Sequence, residues 1–371
     1  MSVQASDLPW MERALALAQG GRWGTSPNPR VGCVIVYQNA VIAEGWHAAV
    51  GGPHAEVAAL DQLDGADPRL SHATAYVSLE PCNHHGLTPP CTERLISSGV
   101  HRVVIGMVDP DARVSGSGIE RLKKAGLTVD VMETLPEGRW LNRRFLSSIE
   151  RQRPWVVLKC AVSADGYADP VRDAGQKGSL AITSPLLRRL THQWRAEEQA
   201  IVVGAGTVVM DDPRLDVRDA TGPSPQPVVI DPQGRTSPKA TVYRHPQALV
   251  FGGPEGLPGH VERIETAGQD AVPAVLRHLH SRDCRSLLVE GGPATLSHFL
   301  HAGMWDEARW CCSSNATGGG LRAPEFPSGK AALLRGEHPF GPDTIKYALH
   351  RRSADWIGSA PPPTLALPLP S

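Results

Sequence analysis

The chain has 371 residues, of which 41% are hydrophobic and 20% are charged, and its 37 Lys and Arg nearly balance its 38 Asp and Glu. This composition excludes a disordered chain and gives no overall positive charge that would attract nucleic acid. The length predicts two domains.

The compartment can be predicted from the first residues and from the cysteines. The segment MSVQASDLPWMERALALAQGG has acidic residues before its apolar part and no basic region, unlike a signal peptide. No apolar run approaches the roughly 20 residues that span a bilayer. Seven cysteines, an odd number, favour a reducing compartment. We therefore expect a cytoplasmic protein with neither a membrane nor a nucleic-acid partner.

In chain order, the first half alternates between predicted helices and strands. A helix over residues 10–19 comes first, because its apolar residues recur on one face, and two β-branched runs joined at Gln38-Asn39 then predict a hairpin. HAEVAAL predicts a helix, ATAYVSLE a strand, CTERLISSG a helix, RVVIGMVD a strand, GIERLKKAG a helix and LTVDVME a strand. The alternation indicates an α/β structure whose later strands are parallel.

A charged segment ending in Pro154 separates this half from a second alternation. The second half begins with the strand WVVLKCAVSADG and a helix that Ser184-Pro185 caps. The strands AIVVG, PVVIDPQGR and ALVFGG follow, and SLLVEGG runs into the helix PATLSHFLHAG. The predicted organisation is a domain over residues 1–147, a linker over 148–153, a domain over 154–355 and a proline-rich tail over 356–371.

One histidine and two cysteines of the first half are candidate metal ligands. His54 precedes a predicted helix, Cys91 opens another, where the helix dipole favours a thiolate, and the Gly/Pro-rich loop after Cys82 can fold back to Cys91. Three protein ligands plus a water molecule are typical of a catalytic zinc ion. Glu56 is then placed to move a proton from that water to a leaving amine, as in zinc deaminases with the pattern H-x-E and P-C-x-x-C. Here eight residues, not two, separate the cysteines.

Other interpretations of these residues remain open at this point. Cysteines often serve packing alone, but the joint pattern at two helix starts favours a catalytic zinc site. His84 and His85 could compete as ligands, although we expect them to face substrate. One alternative function is a zinc deaminase of another aminated base with a non-catalytic, substrate-binding C-terminal half. A second is a non-catalytic, zinc-stabilised binding module, against which Glu56 argues.

Four segments of the first half resemble the family of bacterial bifunctional riboflavin-biosynthesis deaminase/reductases. They are SPNPRVGCVIV, GWHAAVGGPHAEVAAL, AYVSLEPCNHHGLTPPC and VVIGMVDPDARVSGSGIERLKKAGLTV, and the long Cys-x8-Cys loop is characteristic of this family. The resemblance implies a cytidine-deaminase-like, three-layer domain. It implies zinc-dependent hydrolytic deamination of 2,5-diamino-6-(5-phosphoribosylamino)pyrimidin-4(3H)-one, with Asn28, His47 and His84 contacting this substrate.

One residue of this loop departs from the family pattern. Leu87 stands where the family usually has Lys or Arg. If that basic residue helps to hold the substrate phosphate, another group, such as Arg30 or His85, must do so here.

Four segments of the second half, LKCAVSADG, ITSP, VVGAGTVVMDDPRLDVR and LLVEGGPATL, resemble the reductase domain of the same family. The resemblance implies a dihydrofolate-reductase-like domain that uses NADPH to reduce the ribosyl group of 5-amino-6-(5-phosphoribosylamino)uracil to ribityl. The implied cofactor contacts are Ala161, Thr207, Asp211, Gly291, Gly292, Pro293, Ala294, Thr295 and Leu296. The implied substrate contacts are Lys159, Ser179, Arg195, Leu215, Arg218 and Glu290.

Local chemistry agrees with parts of this assignment. Glycines between a strand and a helix at Gly291-Gly292 could leave backbone N–H groups free to cradle a dinucleotide phosphate. The guanidinium forks of Arg195 and Arg218 match phosphate oxygens.

The second half also departs from the family at three places. Ala181 stands where the family usually has Trp, the loop around ADPVRDAGQKGSLA has a changed length, and the sequence after Trp310 diverges. Cys311-Cys312 is too close for ordinary disulfide geometry and is predicted to serve packing. Two incomplete α/β layers favour a homodimer or a higher homo-oligomer.

Overall fold

The computed structural model describes residues 3–64, 67–86, 89–111, 114–132, 135–266 and 270–358. The chain divides into two compact units. The first contains the chain up to Gln152 together with Ile357 and Gly358, and the second contains Arg153–Trp356.

The first unit holds a five-stranded mixed sheet. Its strands are β1 (Gly32–Tyr37), β2 (Ala40–Trp46), β3 (Thr74–Val77), β4 (Arg102–Ile105) and β5 (Thr128–Val131). Its helices are α1 (Leu8–Ala18), α2 (Ala55–Leu60), α3 (Cys91–Ser98), α4 (Ser117–Lys124), α5 (Pro136–Leu141) and α6 (Arg143–Glu150). The strand order is β2-β1-β3-β4-β5, with β1 antiparallel to β2 and β3 and with β3, β4 and β5 parallel. The predicted parallel pairing of the later strands is confirmed.

Helices cover both faces of this sheet. On one face, α1 buries Met11 and Ala14 against Val34 and Val104. On the other, residues of α2, α3 and α4, among them Leu95, pack with β1, β3 and β4. The result is the predicted three-layer arrangement.

The predicted hairpin and helix end depend on left-handed backbone conformations. Gln38 and Asn39 have φ angles of 47° and 60°, which suit the two-residue turn between β1 and β2. Gly99 ends α3 with φ at 74°, a conformation that costs a glycine little.

The second unit is built on a nine-stranded sheet. The strands of the unit, nine in this sheet and two (β7 and β14) outside it, are β6 (Trp155–Val162), β7 (Tyr167–Pro170), β8 (Ala200–Gly204), β9 (Gln226–Asp231), β10 (Leu249–Gly252), β11 (Glu262–Ile264), β12 (Ser286–Val289), β13 (Glu307–Cys312), β14 (Gly320–Arg322), β15 (Ala332–Phe340) and β16 (Asp343–His350). Its helices are α7 (Pro185–Glu197), α8 (Ala205–Asp211), α9 (Ala271–Ser281), α10 (Pro293–His301) and α11 (Arg351–Ile357), whose last residue belongs to the first unit.

The order of this sheet brings the predicted site residues to one edge. It runs β11-β10-β9-β8-β12-β6-β13-β16-β15, and the seven strands from β11 to β13 are parallel, whereas β16 is antiparallel to both of its neighbours. Strands β7 and β14 form a separate pair. Because α8 follows β8 directly and α10 begins a few residues after β12, both helices start at the carboxyl edge of the parallel strands, where ligands bind in open α/β sheets.

Two helices of the structure extend across the predicted domain boundaries. Helix α6 continues to Glu150, so half of the predicted linker over 148–153 is helical. Trp356 and Ile357, the first residues of the predicted tail, belong to α11, and residues 359–371 lie outside the described residues. None of the helices in the described part of the chain is long and apolar enough to cross a membrane.

Candidate active sites of the two units

The three predicted metal ligands of the first unit lie together. His54 is the N-cap of α2, Cys91 opens α3, and Cys82 lies after β3. The His54 Nδ1 atom is 3.1 Å from the Cys91 Sγ atom and 3.5 Å from the Cys82 Sγ atom. All three ligand atoms lie within 4.8 Å of one another. Atoms that bind one zinc ion at about 2.0–2.3 Å in a tetrahedron are about 3.3–3.8 Å apart, so these residues fit zinc.

The two thiols are placed so that one is easily ionised. The Cys91 backbone N–H donates to the Cys82 Sγ atom over 3.3 Å. Hydrogen bonds from the Cys91 thiol and from His54 lower the pKa of Cys82, although burial opposes them. Cys91, which donates to Cys82 and is buried, has a raised pKa in return. Since the thiolate is the form that binds metal, the site offers one such ligand at neutral pH, and metal binding releases the second proton.

Glu56 lies beside this cluster in the first turn of α2, and its side chain is buried. Among the described residues, the set of groups close enough to share one metal ion contains His54, Cys82 and Cys91 and does not include Glu56. Burial, and then the negative charge of Cys82, raise the pKa of Glu56 to about 7. A carboxyl group whose pKa lies near neutrality can accept a proton and return it. The position fits the predicted acid/base role.

Asn28 and His47 lie next to the ligands. The ring of His47 is 5.1 Å from the ring of His54. Its Nδ1 atom is 3.0 Å from the carbonyl oxygen of Pro53, which can only accept a hydrogen bond, so Nδ1 carries the proton. The Nε2 atom is then free to accept from the Asn28 amide at 3.4 Å. Burial lowers the pKa of His47 and keeps the ring neutral.

The other predicted contacts of the first unit are less closely tied to this cluster. His84 and His85 are exposed on the loop between the two cysteines. Leu87, the departure from the family pattern, lies outside the described residues. The guanidinium of Arg30 donates to the carbonyl oxygen of Arg22 over 2.7 Å.

Two carboxylates that the sequence analysis did not single out shape the same region. Glu80 directly precedes Pro81-Cys82, is buried, and accepts backbone hydrogen bonds that hold the loop after β4. The donors are the N–H groups of Asp109, Gly116, Gly118 and Ile119. Asp109 is half-buried, and its burial raises its pKa to about 6. The signal that could have found Glu80 is an acidic residue at the end of a buried strand, where it must have internal partners.

The second unit contains a cavity of about 1150 Å³ at the carboxyl edge of its sheet. Thirteen of the fifteen predicted cofactor and substrate residues line it: Lys159, Ala161, Ser179, Arg195, Thr207, Asp211, Arg218, Glu290, Gly291, Gly292, Pro293, Ala294 and Thr295. They come from β6, from α7, α8 and the start of α10, and from the loops before α7, after α8 and after β12, so the fold gathers residues that are far apart in sequence.

The remaining two predicted residues do not line the cavity. Leu296 is buried in the hydrophobic core, so only its backbone is available to a ligand. Leu215 is buried and has a φ angle of 57°, which is unfavourable for a leucine. Such strain persists where the surrounding structure enforces it, and it is often found at functional sites.

A buried ion pair crosses the cavity wall. The Nε and Nη2 atoms of Arg195 donate to the two carboxylate oxygens of Glu290 at 2.9 and 2.8 Å, and Nη1 donates to the carbonyl oxygen of Asp216 at 3.1 Å. Burial alone would raise the pKa of Glu290, but Arg195 and Lys159 outweigh it and lower this pKa to about 2. Glu290 is therefore a carboxylate at neutral pH, and the fork of Arg195 is already occupied.

The junction between β12 and α10 has the tight packing expected of a phosphate cradle. A Cβ atom on Gly291 would lie 2.5 Å from the Thr295 Cβ atom, and one on Gly204 would lie 2.4 Å from the Thr295 Oγ1 atom. The Gly292 N–H donates to the Thr207 hydroxyl over 3.0 Å. The sequence analysis expected this N–H to be free for a ligand, but it already has an internal partner. The N–H groups of the first turn of α10 beyond it are the ones that remain for a ligand.

The loop of changed length is fastened to the cavity wall. Arg172 is nearly buried, and its guanidinium donates to Asp169, to the Gly178 carbonyl oxygen and, at 2.7 Å, to Asp211. Burial raises the pKa of Asp211 and Arg172 opposes this. Ala181, in place of the usual Trp, lines the cavity at the end of this loop.

The divergent segment after Trp310 also reaches the cavity. The carboxylate of Asp165 accepts hydrogen bonds from the N–H groups of Thr317 and Gly318 at 3.0 and 2.7 Å. Strand β14 then brings Leu321 and Arg322 into the cavity wall. Nothing in the sequence analysis singled out these residues. Cys311 and Cys312 are free cysteines, as predicted.

Comparison with family models divides the chain in the same way. Residues 154–335 match the RibD C-terminal domain, and residues 4–107 match the zinc-binding region of cytidine and deoxycytidylate deaminases.

Whole proteins of known sequence or structure are similar over most of their length. The riboflavin biosynthesis protein RibD of Escherichia coli is 39% identical over 319 residues, which cover 80% of this chain and 85% of that protein. RibD of Aquifex aeolicus is 36% identical over 312 residues, with coverages of 82% and 86%. The crystal structure of a diaminohydroxyphosphoribosylaminopyrimidine deaminase/5-amino-6-(5-phosphoribosylamino)uracil reductase from Thermotoga maritima superposes with a TM-score of 0.82 at 35% identity, over 93% of this chain and 99% of that one. The predicted family and fold class are confirmed.

Proposed function

The chain belongs to the RibD family of riboflavin-biosynthesis proteins, and from that premise we propose which residues carry its two reactions. It is a bifunctional enzyme, a zinc-dependent deaminase and an NADPH-dependent reductase. The substrates are 2,5-diamino-6-(5-phosphoribosylamino)pyrimidin-4(3H)-one for the first reaction and 5-amino-6-(5-phosphoribosylamino)uracil for the second. The observation that carries the assignment is the His54, Cys82 and Cys91 cluster with Glu56 beside it.

In the deaminase, His54, Cys82 and Cys91 hold the zinc ion, and Glu56 moves the proton. Zinc with three protein ligands lowers the pKa of a bound water molecule towards 7 and so supplies a nucleophile at neutral pH. The Glu56 carboxylate takes a proton from the attacking water and delivers it to the amino group that leaves as ammonia. Its burial, which raises its pKa to about 7, suits it to both steps.

Asn28 and His47 orient the pyrimidine in this proposal. The protonated Nδ1 atom of His47 is held by the Pro53 carbonyl oxygen, which fixes the ring. The Asn28 amide then presents one side to His47 and the other to the substrate. His84, on the exposed loop, contacts the pyrimidine in this proposal.

In the reductase, NADPH supplies a hydride to C1 of the ribosyl group. Thr207, Asp211, Ala161 on β6 and the first turn of α10, which line the cavity, would hold the cofactor. Lys159, Ser179, Arg195, Arg218 and Glu290, which line the cavity, bind the substrate, whereas Leu215 does not line it and is assigned no substrate contact. Glu290 is charged, and its two carboxylate oxygens accept hydrogen bonds from Arg195. This ion pair holds both side chains in place in the part of the cavity wall that the substrate contacts.

We further propose that the first unit is the deaminase domain and the second the reductase domain, close to the predicted ranges 1–147 and 154–355. Helix α6 continues to Glu150, so a fragment ending at Gln152 preserves this helix, whereas one ending at residue 147 truncates it. The free cysteines support our proposal of a cytoplasmic location. We also propose that the chain forms a homo-oligomer. Light scattering of the purified chain measures its oligomeric state, and a monomer at micromolar concentration would contradict this proposal.

A coupled assay tests the proposed function. The purified, zinc-loaded chain is given the diaminopyrimidine substrate and NADPH, and ammonia and the absorbance of NADPH are followed together. One ammonia and one NADP⁺ are expected per substrate molecule, with ammonia appearing first. Ammonia without NADPH oxidation would instead support a deaminase whose C-terminal half only binds substrate.

A further inference from the structure

The loop whose length departs from the family pattern is attached to the end of helix α8. Arg172 belongs to this loop and is nearly buried, and its Nη2 atom donates to the Asp211 Oδ1 atom over 2.7 Å. The Gly178 N–H of the same loop donates to the Met210 carbonyl oxygen over 2.8 Å. Asp211 is the last residue of α8, and the final carbonyl oxygens of a helix have no partner within it. The loop therefore packs onto α8 at the residue that the resemblance assigns to the cofactor.

The Asp211 carboxylate lies where a negative charge is unfavourable. The C-terminus of a helix is the negative end of the helix dipole. The side chain of Asp211 is only 26% exposed, and its burial raises its pKa, to which the charge of the Asp169 carboxylate adds. Arg172 opposes both effects through its hydrogen bond and its charge. In the part of the chain that the structure describes, Arg172 is the one cation paired with Asp211.

The guanidinium of Arg172 is almost fully used by groups of the protein. Its Nε and Nη2 atoms donate to the Asp169 carboxylate at 3.0 and 2.8 Å, and Nη1 donates to the Gly178 carbonyl oxygen at 2.7 Å. Together with the bond to Asp211, one N–H on Nε, one on Nη1 and two on Nη2 are engaged, which is four of the five donors of an arginine. Although Arg172 lines the cavity, it is therefore better suited to hold Asp211 than to bind a ligand itself.

We propose that Arg172 is a positioning residue for NADPH, which holds the Asp211 carboxylate through Oδ1 so that Oδ2 accepts a hydrogen bond from the cofactor. The inference rests on the proposed function, because that function assigns Asp211 to NADPH. None of the described residues donates to Oδ2, whereas NADPH carries donors in its ribose hydroxyls and its amide. The loop of changed length thus takes part in cofactor binding in a chain whose Ala181 stands where the family usually has Trp.

A double-mutant cycle on the full-length chain tests whether Arg172 acts through Asp211. Fluorescence titration measures the Kd for NADPH in the unaltered chain, in Arg172→Ala, in Asp211→Asn and in the double variant. We expect each single change to raise this Kd roughly tenfold or more, as for the loss of a hydrogen bond to a charged group. In the Asp211→Asn background, Arg172→Ala should change the Kd by less than about twofold, because the contact through which it acts is already lost.

Further measurements separate positioning from a general loss of structure. At saturating NADPH, the kcat of Arg172→Ala with the deaminated substrate should stay within about twofold of the unaltered value while the KM for NADPH rises. Arg172→Lys keeps a positive charge beside Asp211 and should recover part of the affinity. The matched control is Arg263→Ala, which removes an exposed guanidinium that donates to the Gly252 carbonyl oxygen outside the cavity, and its Kd for NADPH should not change. Ammonia release should be unchanged in every variant.

Two results would overturn the inference. An unchanged Kd in Arg172→Ala would show that Arg172 has no part in cofactor binding. Losses that multiply in the double variant would show that Arg172 contacts NADPH directly or only fastens the loop. If Arg172→Ala melts too early to be purified, Arg172→Lys takes its place in the cycle, and its smaller loss should again disappear in the Asp211→Asn background.

The same titration distinguishes failure of this inference from failure of the proposed function. If the unaltered chain binds no NADPH, the reductase assignment is wrong and the inference is wrong with it. If the unaltered chain binds and oxidises NADPH but the cycle gives either of the two contrary results, the reductase assignment stands and the role of Arg172 alone is refuted.

Discussion

The zinc cluster of the first unit and the cavity of the second unit are built in different ways. In the first, His54, Cys82 and Cys91 bring three ligand atoms within 4.8 Å of one another at two helix starts. In the second, thirteen predicted residues from one strand, three helices and several loops surround about 1150 Å³. The function of the first site depends on a few reactive atoms. Binding in the second site is shared among many side chains and backbone groups, each of which contributes a small part. Single substitutions should therefore abolish the first reaction and only weaken the second.

The largest effect is expected at the metal ligands. Cys91→Ser removes a thiolate that zinc requires, so we expect zinc content to fall from about one per chain to near zero and ammonia release to fall to background. Metal analysis and an ammonia assay measure both. Reduction of the deaminated substrate continues in this variant. The control is Cys284→Ser, which removes a thiol outside the zinc cluster. If Cys91→Ser retained its zinc, the assignment of Cys91 as a metal ligand would be wrong.

The next effect is expected at the buried ion pair of the cavity. Glu290→Gln leaves the Arg195 guanidinium in the wall without its negative partner, which costs about 3–5 kcal/mol when a buried pair is broken. We expect the kcat/KM of the reductase to fall by roughly 100-fold or more and the second unit to melt earlier, with deamination unchanged. The control is Glu262→Gln, because Glu262 pairs with Arg282 at the surface. Loss of deamination in Glu290→Gln would contradict independence of the two sites.

A smaller effect concerns the stability of the first unit in acid. The Arg102 guanidinium, with help from the Gln4 N–H and the Tyr76 hydroxyl, lowers the pKa of Asp7 from 3.8 to about 2 against its burial. The folded state thus binds this proton less readily than the unfolded state, and the stabilisation, about 2 kcal/mol, is present above pH 4 and lost as pH falls towards 2.

Asp7→Asn should abolish this pH dependence. Urea unfolding of the full-length chain between pH 2 and 5 measures it. The unaltered first unit loses about 2 kcal/mol more than Asp7→Asn over that range. The matched control is Asp61→Asn, whose carboxylate forms an exposed pair with Arg94. A parallel pH dependence in Asp7→Asn and the unaltered protein would refute the assignment.

The smallest effect is expected where the chain departs from its family. Ala181 is exposed in the cavity wall, so Ala181→Trp adds an apolar surface beside the bound cofactor. We expect NADPH to bind roughly fivefold more tightly, about 1 kcal/mol, with kcat unchanged. Fluorescence titration with NADPH checks this. Weaker binding would show that the loop fastened by Arg172 already fills the space of the missing ring.

The sequence alone was sufficient for the part of the molecule that depends on short-range patterns. The face of α1, the hairpin at Gln38-Asn39 and the capped start of α7 follow from local periodicity, turn geometry and capping, and the structure contains all three. The candidate zinc ligands could be grouped from the sequence because a histidine and two cysteines stand at helix starts or in a loop that can fold back, and the structure brings their ligand atoms within 4.8 Å of one another.

The rest could not be predicted because it depends on contacts between distant segments. The hairpin of β15 and β16, which extends the nine-stranded sheet, has no strong local signal and is fixed by pairing with β13. The partner of Arg195 is Glu290, 95 residues away, so the sequence could not show that this guanidinium takes part in an internal ion pair. The roles of Glu80 and Arg172 could not be predicted for the same reason. Each residue forms hydrogen bonds with groups that only the folded chain brings near.

The most direct test of the account is Glu56→Gln in the full-length chain, assayed with each of the two substrates. Glu56 is buried beside the ligands but is not one of them, so zinc should stay at about one per chain while ammonia release falls by roughly 10²–10⁴-fold. With the diaminopyrimidine substrate, NADPH oxidation should fall with ammonia release. With the already deaminated substrate, NADPH oxidation should proceed at the rate of the unaltered protein. Loss of zinc, or undiminished ammonia release with zinc in place, would contradict the role of Glu56 and with it the proposed deaminase site.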